Sequence, residues 1–524
     1  MTEPNDVHCI RAAPRLLGIS VISLTLIAFA SLATLVYGHV FSNGLCCADD
    51  STNAIVAKNF AFGIGYTNTI PIYGSSPNRL FDPQITTGPI LNLPAAALIL
   101  AFGNAPWVPG FVTATFSLLT LLGVAAILWK QVGPRRACAY LLALTFFLYN
   151  LTAGLHFEHW YSLLGEMPAA LLSITGAAAL TSNPDKRSVI LAAGLLYGLA
   201  VATKVLALLS FFPVCGYFAW QILVNKACRP RRLVTYIAAL AVFTLPSLCF
   251  EAWKLAVLGS QSYLQNLADF RSLLASAGKA HSSGISLTAE IFARSIAHSS
   301  AARDHFGFSV MTLVLGLVAC GILIFSYVQQ PRLRQFFVLL AAASIVHGFS
   351  WLFVSNGRLR YALIGLFIYF AAVSCVVFVR HSWRTVCAFT ALLLATFSST
   401  YPRLVEPVTF VATYRYEYTP RVENLLRTVA LLKTLKESAP FVMGWWATAG
   451  DVEYAMPSLG NFVEYDHMSS EQRSKRLILV RNRVWVDWMK SAAFEELERR
   501  CGEILLNAPP YTVSRCPSDA DGSQ

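Results

Sequence analysis

The sequence predicts an all-α polytopic membrane protein of about eleven transmembrane helices, followed by a small α/β domain at its C-terminal end. Three observations predict it: the composition, the recurrence of apolar runs of span length, and the alternation of basic charge between those runs. Hydrophobic residues make up 56% of the 524 residues and charged residues only 13%, with 34 Phe and 11 Trp. A soluble chain of this length carries about twice that charged share.

The apolar runs, read against the roughly 20 residues that a bilayer requires, fall near 16–40, 107–129, 137–154, 167–182, 188–204, 205–224, 234–257, 308–328, 335–354, 361–380 and 385–401. The first is too long for the apolar core of a signal peptide and is followed by further spans, so it reads as retained. The stretch 188–224 divides either as a helical hairpin or as one broken span.

The net charge of +12 orients the chain and does not mark a nucleic-acid binder. Arg11 and Arg15, then Lys130, Arg135 and Arg136, then Lys186 and Arg187 all fall in short connections on the amino-terminal side of odd-numbered spans. Lys226, Arg229, Arg231 and Arg232, then Arg332 and Arg334, then Arg380 and Arg384 continue the alternation. Short basic connections are cytoplasmic by the positive-inside rule. The expected placement is therefore a multi-pass plasma (inner) membrane protein with a cytoplasmic N-terminus and an extracytoplasmic C-terminal domain. The opposite connections, about 41–106, 155–166, 258–307, 355–360 and the tail from about 402, are the longer ones, which puts the work on the outer face.

The chain divides accordingly into a transmembrane domain, 1–402, whose first outer connection spans 41–106, and a C-terminal domain, 403–524. In the latter, RVENLLRTVALLKTLKES reads as a charged helix, FVMGWW and RLILV as short buried strands, and 484–501 as a further helix before ILLNAPPYTVSRC. Helices alternating with short strands predict a compact α/β module. Cys501 and Cys516 lie in this outer tail, where a disulfide is chemically permitted; Cys138, Cys215, Cys249, Cys320 and Cys375 lie in spans and read as small apolar packing residues.

The first outer connection opens LCCADDSTNAIVAKN, with Asp49 and Asp50 where the chain leaves the first span. An amphipathic helix follows and stops at Gly63 and Gly65. A Pro-rich stretch then leads into the apolar run Pro89 to Phe102, which is short for a span and interrupted by Pro94, so it reads as a re-entrant or interfacial helix. The acids alone are open to a plainer reading, as solvated residues or a helix N-cap.

The order of acid pair, AKN, GYT, FDP, TTGP and LPAA after a first span resembles the multi-spanning GT-C glycosyltransferases, in particular the branch of protein O-mannosyltransferases and the lipid A aminoarabinose transferase. GEMPA at 165–169 is similar to that family's second acidic position, GLAVATK at 198–204 to its glycine-rich fifth span, and RLRY at 358–361 to a late Arg-x-x-Tyr element. The chain departs from the family in placing Thr52 and Asn53 where an aromatic residue usually follows the acid pair.

The resemblance implies transfer of a sugar from a polyprenyl-phosphate donor to a lipid, glycan or protein acceptor outside the membrane. An acceptor hydroxyl is a weak nucleophile, so a carboxylate must take its proton, a role worth about 10²–10⁴ in rate. Asp49, Asp50 and Glu166 are the catalytic candidates. The departing lipid phosphate needs cationic donors rather than an acid, and Lys204, Arg358 and Arg360 are the candidates for it. One base and one departing phosphate imply direct displacement with inversion. Lys58 and Asn59 of the AKN element are further first-loop candidates. No cofactor is implied beyond the lipid-linked sugar. A divalent metal is not indicated, although His156, Glu158 and His159 have metal-ligand spacing. The competing readings are a transporter or lipid flippase with an outer domain, which the lack of an internal repeat and the clustering of ionisable residues at the faces disfavour, Glu251 and Lys254 late in the seventh span excepted, and a scaffold whose outer domain binds a partner. Membrane lipids are expected partners in every case and nucleic acid in none.

Overall fold

The computed structural model describes residues 7–70, 77–152, 157–224, 229–278, 295–300, 310–354, 359–379, 419–435, 439–444, 449–458, 460–482 and 492–518. Twelve of its helices build the membrane part: α1 (Val7–Asn43), α2 (Ala48–Ala61), α3 (Pro89–Phe102), α4 (Val108–Val132), α5 (Pro134–Thr152), α6 (Glu166–Ser182), α7 (Arg187–Thr203), α8 (Phe211–Val224), α9 (Arg229–Gly278), α10 (Val310–Tyr327), α11 (Pro331–Phe349) and α12 (Leu363–Ser374). Ten of the eleven expected spans coincide with helices; the run 385–401 lies outside the described residues.

Seven helices among the described residues are long and apolar enough to cross a membrane by length and composition. α6 and α7 have only 17 residues each, short of a full perpendicular span, so the count of eleven is not reproduced. A second difference concerns the connection expected at 258–307. Helix α9 does not end there; the chain turns at Gly259 (φ 72°, ψ 167°) and resumes as helix to Gly278. That second half returns over the first connection, where Asp269 pairs with Arg79 and Asn266 Nδ2 donates to Phe81 O at 2.8 Å.

Helix α6 occupies the middle of the bundle, with every residue from Glu166 to Thr181 buried. Its run of Ala, Ser, Thr and Gly lets neighbours approach closely, the packing mode of membrane helices. The glycine-rich α7 uses the same device against α9. A Cβ on Gly198 would stand 2.3 Å from the carbonyl oxygen of Phe243.

The C-terminal module contains α13 (Thr419–Leu435), β1 (Phe441–Met443), α14 (Gly450–Ala455), β2 (Phe462–Glu464), β3 (Leu477–Asn482), α15 (Ala492–Arg500), β4 (Glu503–Ala508) and β5 (Tyr511–Cys516). Its five-stranded mixed sheet has the order β2-β1-β3-β5-β4, with β1 parallel to both neighbours and β5 antiparallel to β3 and β4. Cys501 and Cys516 form a disulfide that ties the end of α15 to the end of β5. On one side the module has a core of its own, in which Val442, Leu477 and Leu479 pack with Phe494 and Leu497; on the other it shares one with the membrane part. One apolar cluster runs from Ala54 and Ile55 of α2 and Leu91 of α3 to Leu425 of α13, Met443 of β1 and Val452 of α14.

A polar interlock follows the same seam. Lys58, fully buried, donates to the carbonyl oxygens of Glu453 (2.7 Å), Met456 (2.6 Å) and Ser458 (3.0 Å). Asn104 Nδ2 donates to Tyr454 O and Met456 O, both at 2.8 Å. The basic connections gather at the other end of the bundle, where Lys130, Lys186 and Arg332 border one cavity.

Candidate active site

Helix α2 begins at Ala48, so Asp49 and Asp50 both sit in its first turn, where the helix dipole favours carboxylates. Adjacent helical residues point about 100° apart, and the two acids meet different surroundings. Asp50 is 1% exposed and accepts backbone hydrogen bonds from Cys46 (2.9 Å) and Leu163 (2.7 Å). Burial raises its pKa to about 6, and the two amides and Arg421 offset only part of that rise. Asp49 keeps 23% of its side chain exposed and pairs with Arg360 through Nη1.

The Leu163–Leu164 backbone touching Asp50 is a junction for three of the sequence motifs. Thr87 of TTGP donates its hydroxyl to Leu163 O, and Lys204 Nζ donates to Leu164 O at 2.8 Å. Gly88 N donates to Thr203 O at 3.0 Å, and the backbones lie so close that a Cβ on Gly88 would fall 1.8 Å from Ala202 O. Glu166 of GEMPA, fully buried, stands 3.0 Å from Lys204 Nζ and 3.5 Å from His159 Nδ1. TTGP, GEMPA and the Ala-Thr-Lys end of α7 thus form one packed junction.

Lys204 and Arg360 both line a cavity of about 840 Å³. Its floor is the Phe81–Pro89 segment; its other sides come from the turn after α7, from α9, and from the end of α11, where Ser350–Val354 form a turn of π-helix. Such irregular turns cluster at functional sites. Leu206, Leu209, Phe270, Leu273, Trp351 and Val354 make much of the wall apolar, whereas Lys204, Lys254 and Arg360 supply positive charge. Lys254 pairs with Glu251 at 2.8 Å and lies 4.7 Å from the Phe250 ring centroid. The Nε of Arg360 is buried without a hydrogen-bond partner among the described residues. Phe81 shapes the floor from a left-handed backbone (φ 52°), costly for a bulky residue. Its amide donates to Tyr66 O at 2.7 Å and its ring packs on Tyr66 and Trp253.

The structure therefore brings together Asp49 with Arg360 and Glu166 with Lys204, and sets Lys204 and Arg360 on one cavity. Asp50 braces the junction from behind. Lys58 turns away into the interlock with the C-terminal module, and Asn59 donates to Thr67 O at 2.8 Å, so neither reaches the cavity. Arg358 and His156 lie outside the described residues. Among the described residues no three His, Cys, Asp or Glu side chains form a metal-binding group, and His159 faces Glu166. Sequence reasoning did not pick out Asp82, Trp351 or Phe81 as cavity residues. The FDP triplet was the available signal for two of them, but its buried Asp82, whose Oδ1 accepts from Gln84 N at 2.9 Å, reads equally as a turn residue.

An apolar-walled cavity that also carries Lys204, Lys254 and Arg360 has the chemistry to take a lipid phosphate, with chain on the walls and anion at the charges. A partly exposed carboxylate, Asp49, stands beside it, linked through Arg360. No protein-family model and no curated protein sequence matches the chain. Crystal structures of ArnT share its architecture. The crystal structure of ArnT from Cupriavidus metallidurans in the apo state matches with a TM-score of 0.55 at 12% identity, covering 94% of this chain and 97% of that one. ArnT from the same organism bound to undecaprenyl phosphate matches with a TM-score of 0.55 at 13% identity and the same coverage. At this identity the likeness speaks for the fold alone: the chain shares the architecture of ArnT over nearly the whole length of both chains.

Proposed function

We propose that this protein is an integral-membrane glycosyltransferase that moves a sugar from a polyprenyl-phosphate donor to a lipid, glycan or protein acceptor on the extracytoplasmic face, with inversion. The observation that carries the reading is the pairing of Asp49 with Arg360, an arginine that also lines the apolar, cation-bearing cavity of Lys204. ArnT, which shares the fold, has been crystallised with undecaprenyl phosphate, and the same kind of ligand suits this cavity's apolar walls.

The chemistry follows from where charge moves. The acceptor hydroxyl or amine forms a bond from its oxygen or nitrogen to the anomeric carbon while its proton passes to the Asp49 carboxylate. The bond from the anomeric carbon to the phosphate oxygen breaks, and both its electrons leave with the lipid phosphate. The phosphodiester of the donor carries one negative charge; the departing monoester gains another. Lys204 and Arg360 therefore bind the leaving phosphate more strongly than the donor, and interactions that strengthen in this way accelerate the reaction. Arg358, in the same RLRY element, is assigned to the same phosphate.

Arg360 has a second consequence. Its guanidinium pairs with Asp49. An incoming phosphate competes for that guanidinium and frees a carboxylate lone pair for the acceptor proton. Glu166 acts behind the site by holding Lys204 in place, and Asp50 acts by fixing the backbone at Leu163. No observation favours transport: Lys204, Lys254 and Arg360, the cations of the cavity, are each paired with a carboxylate.

The test is a comparison of a deletion strain with strains complemented by the wild-type protein or by Asp49→Asn, reading surface glycolipids, lipopolysaccharide and glycoproteins by mass spectrometry. One glycan must disappear on deletion, return with the wild type and stay absent with Asp49→Asn at equal membrane abundance. Restoration by Asp49→Asn removes the proposed base. Loss of the unglycosylated acceptor itself from the outer face would instead favour transport.

A further inference from the structure

A second cavity, of about 810 Å³, lies at the opposite end of the bundle among the ends of α4, α6, α7 and α11. Its walls between the helices are apolar, from Ile127, Ala179, Val189 and Leu196, and its rim carries Lys130, Lys186 and Arg332. Helices α7 and α11 both start here, and neither N-cap residue caps its helix with a side-chain hydrogen bond. Two positive helix ends thus add to three cations. Arg332 is anchored by a hydrogen bond from Nη1 to Ser182 O at 2.9 Å. The nearby acid Asp185 is engaged by Arg232 at 2.5 Å and does not offset the rim.

The positive-inside rule explains basic residues at this end, but it explains neither a cavity between helices nor the state of Gln131. That side chain donates from Nε2 to Ala178 O at 3.1 Å, and its Oε1 is buried at the cavity without a hydrogen-bond partner among the described residues. A buried acceptor of this kind calls for a donor.

We propose that this cavity binds one anionic glycerophospholipid. Its acyl chains run along the apolar walls, its phosphate lies among Lys130, Lys186 and Arg332, and a headgroup hydroxyl donates to Gln131 Oε1. A free anion would leave the apolar walls uncovered. A zwitterionic lipid would bring its own ammonium group against three cations. Basic pockets between membrane helices recognise anionic headgroups for these reasons. The site does not depend on the transferase reading.

The experiment uses the full-length protein, delipidated in detergent and mixed at low salt with phosphatidylglycerol or phosphatidylcholine, with bound lipid counted by native mass spectrometry. One phosphatidylglycerol should be retained per chain, and phosphatidylcholine should not. The combined Lys130→Gln, Lys186→Gln and Arg332→Gln protein should bind phosphatidylglycerol about a hundredfold more weakly. Gln131→Leu should weaken phosphatidylglycerol but not phosphatidylethanol, which is equally anionic and lacks the headgroup hydroxyl. Equal retention of the two wild-type partners, or undiminished binding by the triple variant, overturns the proposal. Displacement of the lipid by equimolar inorganic phosphate would show a site for the free anion and overturns it as well. The wild-type comparison stands even where a variant fails to fold.

Discussion

Helix α2 borders two regions built from the same residue types to opposite ends. Toward the cavity it presents Asp49, 23% exposed and paired with an arginine that is 20% exposed. Toward the C-terminal module it presents Lys58, fully buried and held by three carbonyl oxygens. At the interlock each polar group has fixed partners: Glu453 accepts from the amides of Gly460 (2.8 Å) and Asn461 (3.0 Å), and Asp451 accepts from Tyr511 Oη at 2.6 Å. At the cavity, Arg360 Nε is buried without a hydrogen-bond partner among the described residues. Saturated networks hold a structure together, whereas incompletely satisfied ones leave something for a ligand to do. The contrast assigns stability to one side of α2 and chemistry to the other.

The largest expected effect breaks the cavity side. Asp49→Asn keeps the shape but cannot take a proton, so turnover should fall by about 10²–10⁴, with the unfolding midpoint close to wild type. Asp50→Asn should do the reverse, lowering stability while the folded fraction still turns over. Turnover and thermal unfolding measured on both proteins decide the matter; a dead but stable Asp50→Asn enzyme would exchange the two roles. Arg360→Ala should come next. It removes the cation that the phosphate and Asp49 share, so the KM for the lipid donor should rise about tenfold or more, with acceptor KM unchanged. An unaltered donor KM would mean that the phosphate is held elsewhere.

Breaking the interlock should leave the chemistry alone. Lys58→Met deletes an ammonium that satisfies three buried carbonyl groups, and roughly 3 kcal/mol of stability should go with it. Burial holds the Lys58 pKa down at about 8, with the charge of Glu453 resisting the shift. The sign is that of a depressed lysine: the unfolded chain binds the extra proton between about pH 8 and the ordinary 10.5, so this group favours folding more as pH rises through that window. Limited proteolysis of the C-terminal module, compared with turnover per folded molecule, checks the assignment. A Lys58→Met protein that is stable yet inactive would return Lys58 to the active site.

How much of this could be read from the sequence differs between the same two regions. Span-length apolar runs and alternating basic connections announce membrane helices, because length and hydropathy are local properties. The ordered motifs singled out TTGP, GEMPA and the end of GLAVATK, and these do pack together. The direction of each side chain was not legible. Asp49 and Asp50 are chemically identical neighbours, and it is tertiary contacts, the Leu163 amide on Asp50 and Arg360 on Asp49, that separate their surroundings. Lys58 sat in the AKN motif, but its partners lie some 395 residues away in a module whose docking no local pattern encodes. The left-handed Phe81, the π turn at Ser350–Val354 and the return of α9 after Gly259 are likewise products of tertiary packing. Glu251 and Lys254 looked like charges within a span and a reason for caution; they form part of the cavity wall.

The smallest effect separates the two acids by pH. Burial, the largest influence on Asp50, raises its carboxyl to about 6 from an ordinary 3.8. A carboxyl with a raised pKa binds its proton more tightly in the folded chain. Its contribution is therefore complete below the unfolded value of 3.8 and is lost as pH rises through 6. Lowering the pH from 7 to 5 should strengthen the fold through this group by about 1 kcal/mol. Other carboxylates titrate over the same range, so the informative quantity is a difference between proteins. Stability measured by denaturant titration in detergent at both pH values should show this increment in the wild type and in Asp49→Asn, where Asp50 is intact. Asp50→Asn should lack it. If Asp49→Asn loses the increment and Asp50→Asn keeps it, the buried carboxyl is the other one, and the division of labour across α2 must be redrawn with Asp50 facing the cavity.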